Sequence, residues 1–177
     1  MKKRIFLGIK ANIDLISEIE IWQKYYNEKI KARWISNDNL HITLVPPWYE
    51  ENITAVSKKI DSLVNISPFD VTFKKVTFGP TQVRPRLIWT EGQAPLQLHK
   101  LKNKLEKVLD IAPEKRDFKL HLTLARFREK DFKSFNVKTI EDTVSWKMKI
   151  NSFQLFESIL RPSGAEYKIL EELKLSR

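Results

Sequence analysis

The feature that most constrains this chain is a five-residue phrase that occurs twice. Leu40-His41-Ile42-Thr43-Leu44 returns as Leu120-His121-Leu122-Thr123-Leu124, eighty residues later. The chain has three histidines, and two of them stand in this phrase. Such a recurrence marks an internal repeat, so the fold must house two equivalent segments. Each copy alternates apolar and polar residues, the signature of a strand with one buried face. Residues two apart in a strand project from the same side. His41 therefore shares a face with Thr43, while Leu40, Ile42 and Leu44 share the other; His121 and Thr123 stand in the same relation to Leu120, Leu122 and Leu124. Each copy offers an imidazole beside a hydroxyl on a rigid, apolar-backed mount, a good support for catalytic groups. One such histidine reads most simply as a satisfied, half-buried residue. Two matched copies point to a working pair.

The chain between and around the copies predicts an α+β fold. A strand over Arg4–Lys10 is followed by a helix capped by Asn12 or Asp14 and running to about Ile30, with Leu15, Ile16, Ile19, Trp22, Tyr26 and Ile30 as its apolar stripe. Arg33-Trp34-Ile35 leads through a polar turn at 36–39 into the first histidine strand, which Pro46-Pro47 is expected to stop. A second helix is predicted over Thr54–Asn65, with Val56, Ile60, Leu63 and Val64 inward, then a strand over Pro68–Phe78, a turn at Gly79-Pro80 and a strand over Arg86–Thr90. Pro95 suits the first turn of a third helix, whose stripe is Leu98, Leu101, Leu105, Val108 and Leu109 and which Pro113 ends. The second histidine strand falls within Asp117–Phe127. Residues 128–142 are polar and irregular, with room for a short helix. The apolar parity of Val144–Ile159 shifts between Ile150 and Phe153, which calls for a bulge or two strands. A turn at 162–164 and a last segment, Tyr167–Leu175, complete the order. Strands in hairpin-like groups imply mostly antiparallel sheet. Together with the repeat, they predict two pseudo-symmetric lobes with outer helices, spanning 1–177 as one domain, the two histidine strands facing each other across a central cleft.

Charge and composition narrow the function. A net charge of +10 favours a polyanionic partner. With no cysteine, disulfides, thiolate metal sites and cysteine nucleophiles are excluded. Four glycines leave no Gly-rich phosphate loop. No apolar run approaches the roughly 18 residues of a membrane span, and Ile5–Ile9 is too short for a signal-peptide core. A cytoplasmic monomer is expected.

These residues resemble the two-histidine (2H) phosphoesterases, and more narrowly the RNA 2′,3′-cyclic phosphodiesterases, historically called 2′-5′ RNA ligases. Beside the paired His-x-Thr-Leu phrases, the likeness takes in Arg4-Ile5-Phe6-Leu7, Asn39 ahead of the first phrase, Arg84-Pro85-Arg86-Leu87-Ile88-Trp89, Ala125-Arg126 after the second phrase, Ser158-Ile159-Leu160 and Gly164-Ala165-Glu166-Tyr167. It departs from the family at Val45-Pro46-Pro47-Trp48, where Phe-Leu-Gly is usual, and at Leu120, where Pro is common. The resemblance implies opening of a 2′,3′-cyclic phosphate by water, the 3′ oxygen leaving, to give a 2′-phosphate. One histidine takes a proton and the other gives one; His121 is assigned as base and His41 as acid, although near-symmetry permits the reverse. Thr43 and Thr123 donate to the non-bridging oxygens. No metal and no cofactor are called for.

The family also places an arginine of the second phrase at the cleft. Arg126 is odd-spaced from His121, so a regular strand turns it away, and the strand must end or bulge first. Arg86 is either a phosphate contact or a solvated strand charge. Trp34, Trp48 and Phe127 are candidates to stack on a base, or else core and rim aromatics. The partners expected are RNA ends or nucleotide cyclic phosphates. Three other readings stay open: a phosphodiesterase or ligase for 2′-5′ linked oligonucleotides or small cyclic nucleotides, a non-catalytic RNA-binding module, and a metal hydrolase using His41, His99 and His121.

Overall fold

The computed structural model describes residues 1–61, 66–162 and 164–176. Its first lobe is a four-stranded antiparallel sheet built from β1 (Lys3–Lys10), β3 (His41–Glu50), β8 (Ser152–Arg161) and β9 (Gly164–Lys174), in the order β3-β1-β8-β9. The second is a five-stranded sheet of β2 (Arg33–Trp34), β4 (Phe69–Gly79), β5 (Leu87–Gly92), β6 (Leu120–Arg126) and β7 (Glu141–Ile150), in the order β2-β6-β5-β4-β7. All pairings in both sheets are antiparallel. The orders superimpose term by term. A histidine strand (β3 or β6) lies beside the strand that leads into a helix (β1 or β5), and two more strands follow. The repeat in the sequence is thus a repeat of topology, with β2 added beyond β6.

Each leading strand enters its helix by a local signal. The Asn12 side chain accepts from the Leu15 backbone N–H at 3.0 Å and starts α1 (Ile13–Tyr26). Pro95 caps α3 (Leu96–Leu109), and Asp110, at φ 55°, ends it in the left-handed region three residues ahead of Pro113. Helix α1 stops at Tyr26, short of the expected Ile30, because Asn27–Lys29 turn; Ile30 is nonetheless buried. Trp22 and Tyr26 both donate to one carboxylate oxygen of Asp142, at 2.7 and 2.8 Å, which fixes α1 against β7. Helix α2 (Ile53–Asp61) buries Val56 and Ile60; the expected inward Leu63 and Val64 lie outside the described residues. A short α4 (Glu129–Phe132) occupies the irregular stretch. Among the described residues no helix is long and apolar enough to cross a membrane.

Two expectations need correcting or sharpening. Pro46-Pro47 does not stop the first histidine strand, which runs on to Glu50. Strand β3 is at the sheet edge, and the ladder skips both prolines, passing from Leu7↔Val45 to Ile5↔Trp48. An edge bulge tolerates residues that lack an N–H. The parity shift near Ile150 resolves into two strands, and the chain crosses from one sheet to the other at Asn151.

Candidate active site

The histidine strands lie against each other between the lobes, and each carries the same irregularity. In β3 the register passes from Thr43↔Gly8 to Val45↔Leu7, so Leu44 is an extra residue. In β6 it passes from Thr123↔Trp89 to Ala125↔Ile88, so Leu124 is the extra residue. Both bulges stand three residues past a histidine and bury two consecutive side chains, Leu44 with Val45 and Leu124 with Ala125. A bulge turns the residues beyond it through one step of the pleat. Arg126, odd-spaced from His121, is thereby brought back to the histidine face. The equivalent position in the first copy is Pro46, so only one side of the cleft carries this cation.

A bulge residue leaves the regular ladder. The Leu124 carbonyl accepts from the backbone N–H of Ile35, just past β2, at 2.8 Å. The first lobe has no strand in that place. There the Leu44 carbonyl accepts from the ammonium of Lys102 at 3.0 Å, and Lys102 is itself ion-paired with Glu106 one turn along α3. Both side chains are buried. Sequence analysis overlooked this pair, although Lys102 and Glu106 interrupt the apolar face of α3 at i, i+4 spacing.

The two imidazoles are held alike. The Nδ1 of His41 is 2.6 Å from the Asn39 carbonyl, and that of His121 is 2.9 Å from the Lys119 carbonyl. A carbonyl only accepts, so each Nδ1 carries the proton and each Nε2 is left for chemistry. Aromatic rings set their orientation: Phe6 and Tyr167 flank His41 with centroids 4.9 and 5.0 Å away, and Trp89 lies 4.9 Å from His121. Gly8 makes room for the first ring. A Cβ there would stand 2.8 Å from the Ile42 carbonyl oxygen and 3.4 Å from His41 Cδ2. Asn39 is tied to β9 through its side chain, which donates to the Ala165 carbonyl at 2.8 Å and accepts from the Tyr167 N–H at 3.2 Å.

Electrostatically the pair is unequal. His41 is pushed down to about 4, mainly by burial, with Arg126 and His121 adding to the effect and the bond to Asn39 opposing it. His121 is also held below its ordinary value by burial first and by Arg126, while the Lys119 carbonyl, Glu114 and Glu91 work the other way. Opposite His41 in the ladder stands Lys10; opposite His121 stands Glu91. The constellation is two neutral imidazoles, each with a half-buried threonine two residues on, under the field of one arginine.

Residues 13–159 match the 2′-5′ RNA ligase superfamily. The chain belongs to that superfamily. It is 27% identical to a protein of Archaeoglobus fulgidus named RNA 2′,3′-cyclic phosphodiesterase, over 94% of this chain and 97% of that one. A protein of the same name from Thermotoga maritima is 26% identical over 96% and 94% of the two chains. In fold it matches TT0787 of Thermus thermophilus (TM-score 0.80, 21% identity, 97% of each chain) and Escherichia coli LigT complexed with 3′-AMP (TM-score 0.79, 22% identity, 100% of each).

Against this superfamily fold the remaining candidates separate. Trp34 lines a cavity of about 1110 Å³ beside His41, together with Lys10, Arg126 and Tyr167. Phe127 borders a smaller one of about 370 Å³, shared with Arg33 and Arg126, but its ring packs among Phe78, Phe132 and Phe135. Arg86 is exposed just ahead of β5 and lines neither cavity. Trp48 is not brought to the large cavity either: beyond the proline bulge it packs on the core. His99 lies on α3 against Phe118, 5.7 Å between centroids. Among the described residues no three His, Asp or Glu side chains gather as a metal site. Lys10 and Tyr167, both near His41, went unnoticed as site residues. Lys10 is two residues on from Gly8 on one face of β1, and Tyr167 stands in the last segment, brought in only by sheet pairing.

Proposed function

We propose that this chain is an RNA 2′,3′-cyclic phosphodiesterase, a single two-lobed domain that hydrolyses a terminal cyclic phosphate to a 2′-phosphate. The observation that carries the reading is the matched pair of imidazoles, each with Nδ1 committed to a carbonyl and Nε2 free, sharing the field of Arg126. The names of the relatives in Archaeoglobus fulgidus and Thermotoga maritima support the substrate class.

Opening the ring is an in-line displacement. The water oxygen–phosphorus bond forms as the bond from phosphorus to the 3′ oxygen breaks. His121 Nε2 takes the proton from water, and His41 Nε2 gives one to the departing 3′ oxygen. Thr43 and Thr123 donate to the non-bridging oxygens, and Arg126 offsets the charge that gathers there. His121 is ready as a base, since it is held neutral. His41 must first be charged. A bound phosphate anion supplies the opposite charge that burial and Arg126 otherwise deny it, so substrate recruits the acid's proton. Water restores both protonation states after turnover. Every proton transfer is served by an imidazole, and no step calls on a metal. All the groups come from one chain, so a monomer suffices for the reaction.

The test is an incubation, chelator present, with a short RNA ending in 2′,3′-cyclic phosphate, followed by identification of the product end. A 2′-phosphate is expected from the wild type and none from His41→Ala or His121→Ala, with both variants folded. An inert wild type, or near-normal rates in either variant, refutes the assignment.

A further inference from the structure

The large cavity sits on one side of the catalytic pair. It reaches Lys10, opposite His41, and Tyr167, edge-on to His41, and takes no lining residue from β4, β5 or β7. Its volume, about 1110 Å³, exceeds the roughly 300–1,000 Å³ of pockets that enclose a small ligand. Six cations line it: Arg4, Lys10, Arg33, Arg126, Arg161 and Lys168. The two acids on its walls are already paired, Asp38 with Lys10 at 3.1 Å and Glu166 with Arg161 at 3.2 Å. Arg4, Arg33, Arg161 and Lys168 have no part in the ring opening. Arg33, from the second lobe, extends to the start of β9 in the first, where only the absence of a side chain at Gly164 leaves space for its guanidinium. It lines the cavity next to Trp34.

We propose that this groove holds the single-stranded RNA upstream of the cyclic end, its phosphates on Arg4, Arg33, Arg161 and Lys168 and a base against Trp34. The enzyme then selects polynucleotide ends over free cyclic mononucleotides. The inference rests on the phosphodiesterase reading for its direction. If His41 protonates the 3′ oxygen, the ribose lies on the His41 side, and everything joined to its 5′ carbon leaves on that side. The water side needs no comparable room. A basic wall that tracks a phosphate backbone, with an aromatic platform, is what binds single strands with little regard for sequence.

Two measurements, on the wild-type protein and on one double variant, decide it. The first is calorimetric binding of an RNA octamer ending in 2′-phosphate against the mononucleotide 2′-phosphate. The octamer is expected to bind about tenfold or more tightly, as stacking of one base alone can supply. Its affinity should fall with salt at a log–log slope of about −3, from four phosphate contacts at ~0.7 each. The second is kcat/KM for the octamer and the mononucleotide bearing 2′,3′-cyclic phosphate. Arg161→Glu/Lys168→Glu, at two exposed positions, should shrink the octamer-to-mononucleotide ratio severalfold and flatten the salt slope. Equal, salt-insensitive binding of the two lengths overturns the groove even if both are hydrolysed. So does a full length advantage in the double variant. Length-dependent binding without hydrolysis of either substrate upholds the groove and sinks the phosphodiesterase reading instead.

Discussion

Replacing Lys102 by Met tests whether the first histidine strand is held from outside its own sheet. Met keeps most of the aliphatic stem and removes the ammonium. Two buried groups then lose their partner, the Glu106 carboxylate and the Leu44 carbonyl. Breaking a buried ion pair from one side costs about 3–5 kcal/mol, and an orphaned buried acceptor about 1–3 kcal/mol. The same ammonium serves both, so the terms overlap, and a loss of about 4 kcal/mol is expected, a large share of the ~5–15 kcal/mol that holds a domain together. Lys102→Met/Glu106→Leu removes both charges and orphans only the carbonyl, so it should cost about 1–3 kcal/mol. Urea unfolding followed by tryptophan fluorescence measures both. The double variant should still turn over RNA more slowly than wild type, because the Leu44 bulge adjoins Thr43. A single variant within about 1 kcal/mol of wild type, or a double variant as costly as the single, would falsify the hold of Lys102 on the first histidine strand.

Burial of His41 also makes stability depend on pH. Its folded value, about 4, lies below the unfolded 6.5, so the unfolded chain binds the extra proton. The contribution is complete above pH 6.5 and is lost as pH falls from there towards 4. It amounts to about 3 kcal/mol. Urea unfolding of wild type and His41→Gln across this window should diverge by about that much, and parallel curves refute the shift. In NMR titrations His41 should move upward when inorganic phosphate or the 2′-phosphate product binds; an unchanged midpoint contradicts proton recruitment by substrate. Gly8→Ala pushes a methyl against the backbone of β3 and should destabilise by about 1–3 kcal/mol and cut turnover sharply; normal activity would show that the close packing there is dispensable. Thr43→Ala and Thr123→Ala should each slow the reaction less than loss of a histidine does, with folding intact. An unchanged rate removes that threonine from the phosphate site.

Local pattern made the two strands legible, because alternation and repetition are properties of neighbouring residues. The duplicate phrase led to the packing of β3 against β6 and to the two-lobed sheet order. The odd spacing of Arg126, set against a resemblance that places an arginine at the cleft, called for an end or a bulge in the strand, and the bulge stands at Leu124. What escaped depended on distant partners. Pro46-Pro47 reads as a stop unless β3 is known to be an edge strand. Ile150 and Phe153 show a change of parity but not that the chain changes sheets there. Lys102 meets β3 only through packing between the lobes, and Tyr167 reaches His41 only because β9 closes the first sheet. Trp48 lies away from the large cavity for the same reason, since its face was set by a bulge invisible in the alternation.

The interleaving of the first lobe also governs when the enzyme comes into being. Ile5 pairs with Glu157, while every strand of the second sheet is encoded between them. A ribosome therefore finishes β4 to β7 before β1 has β8 for a neighbour, and His41 lacks the Tyr167 wall until β9 emerges. The second sheet has all its strands by Ile150, whereas the first must wait for contacts across some 150 residues, a closure that is intrinsically slow. RNA ends near a translating ribosome meet a chain that carries both histidines before it can use them together.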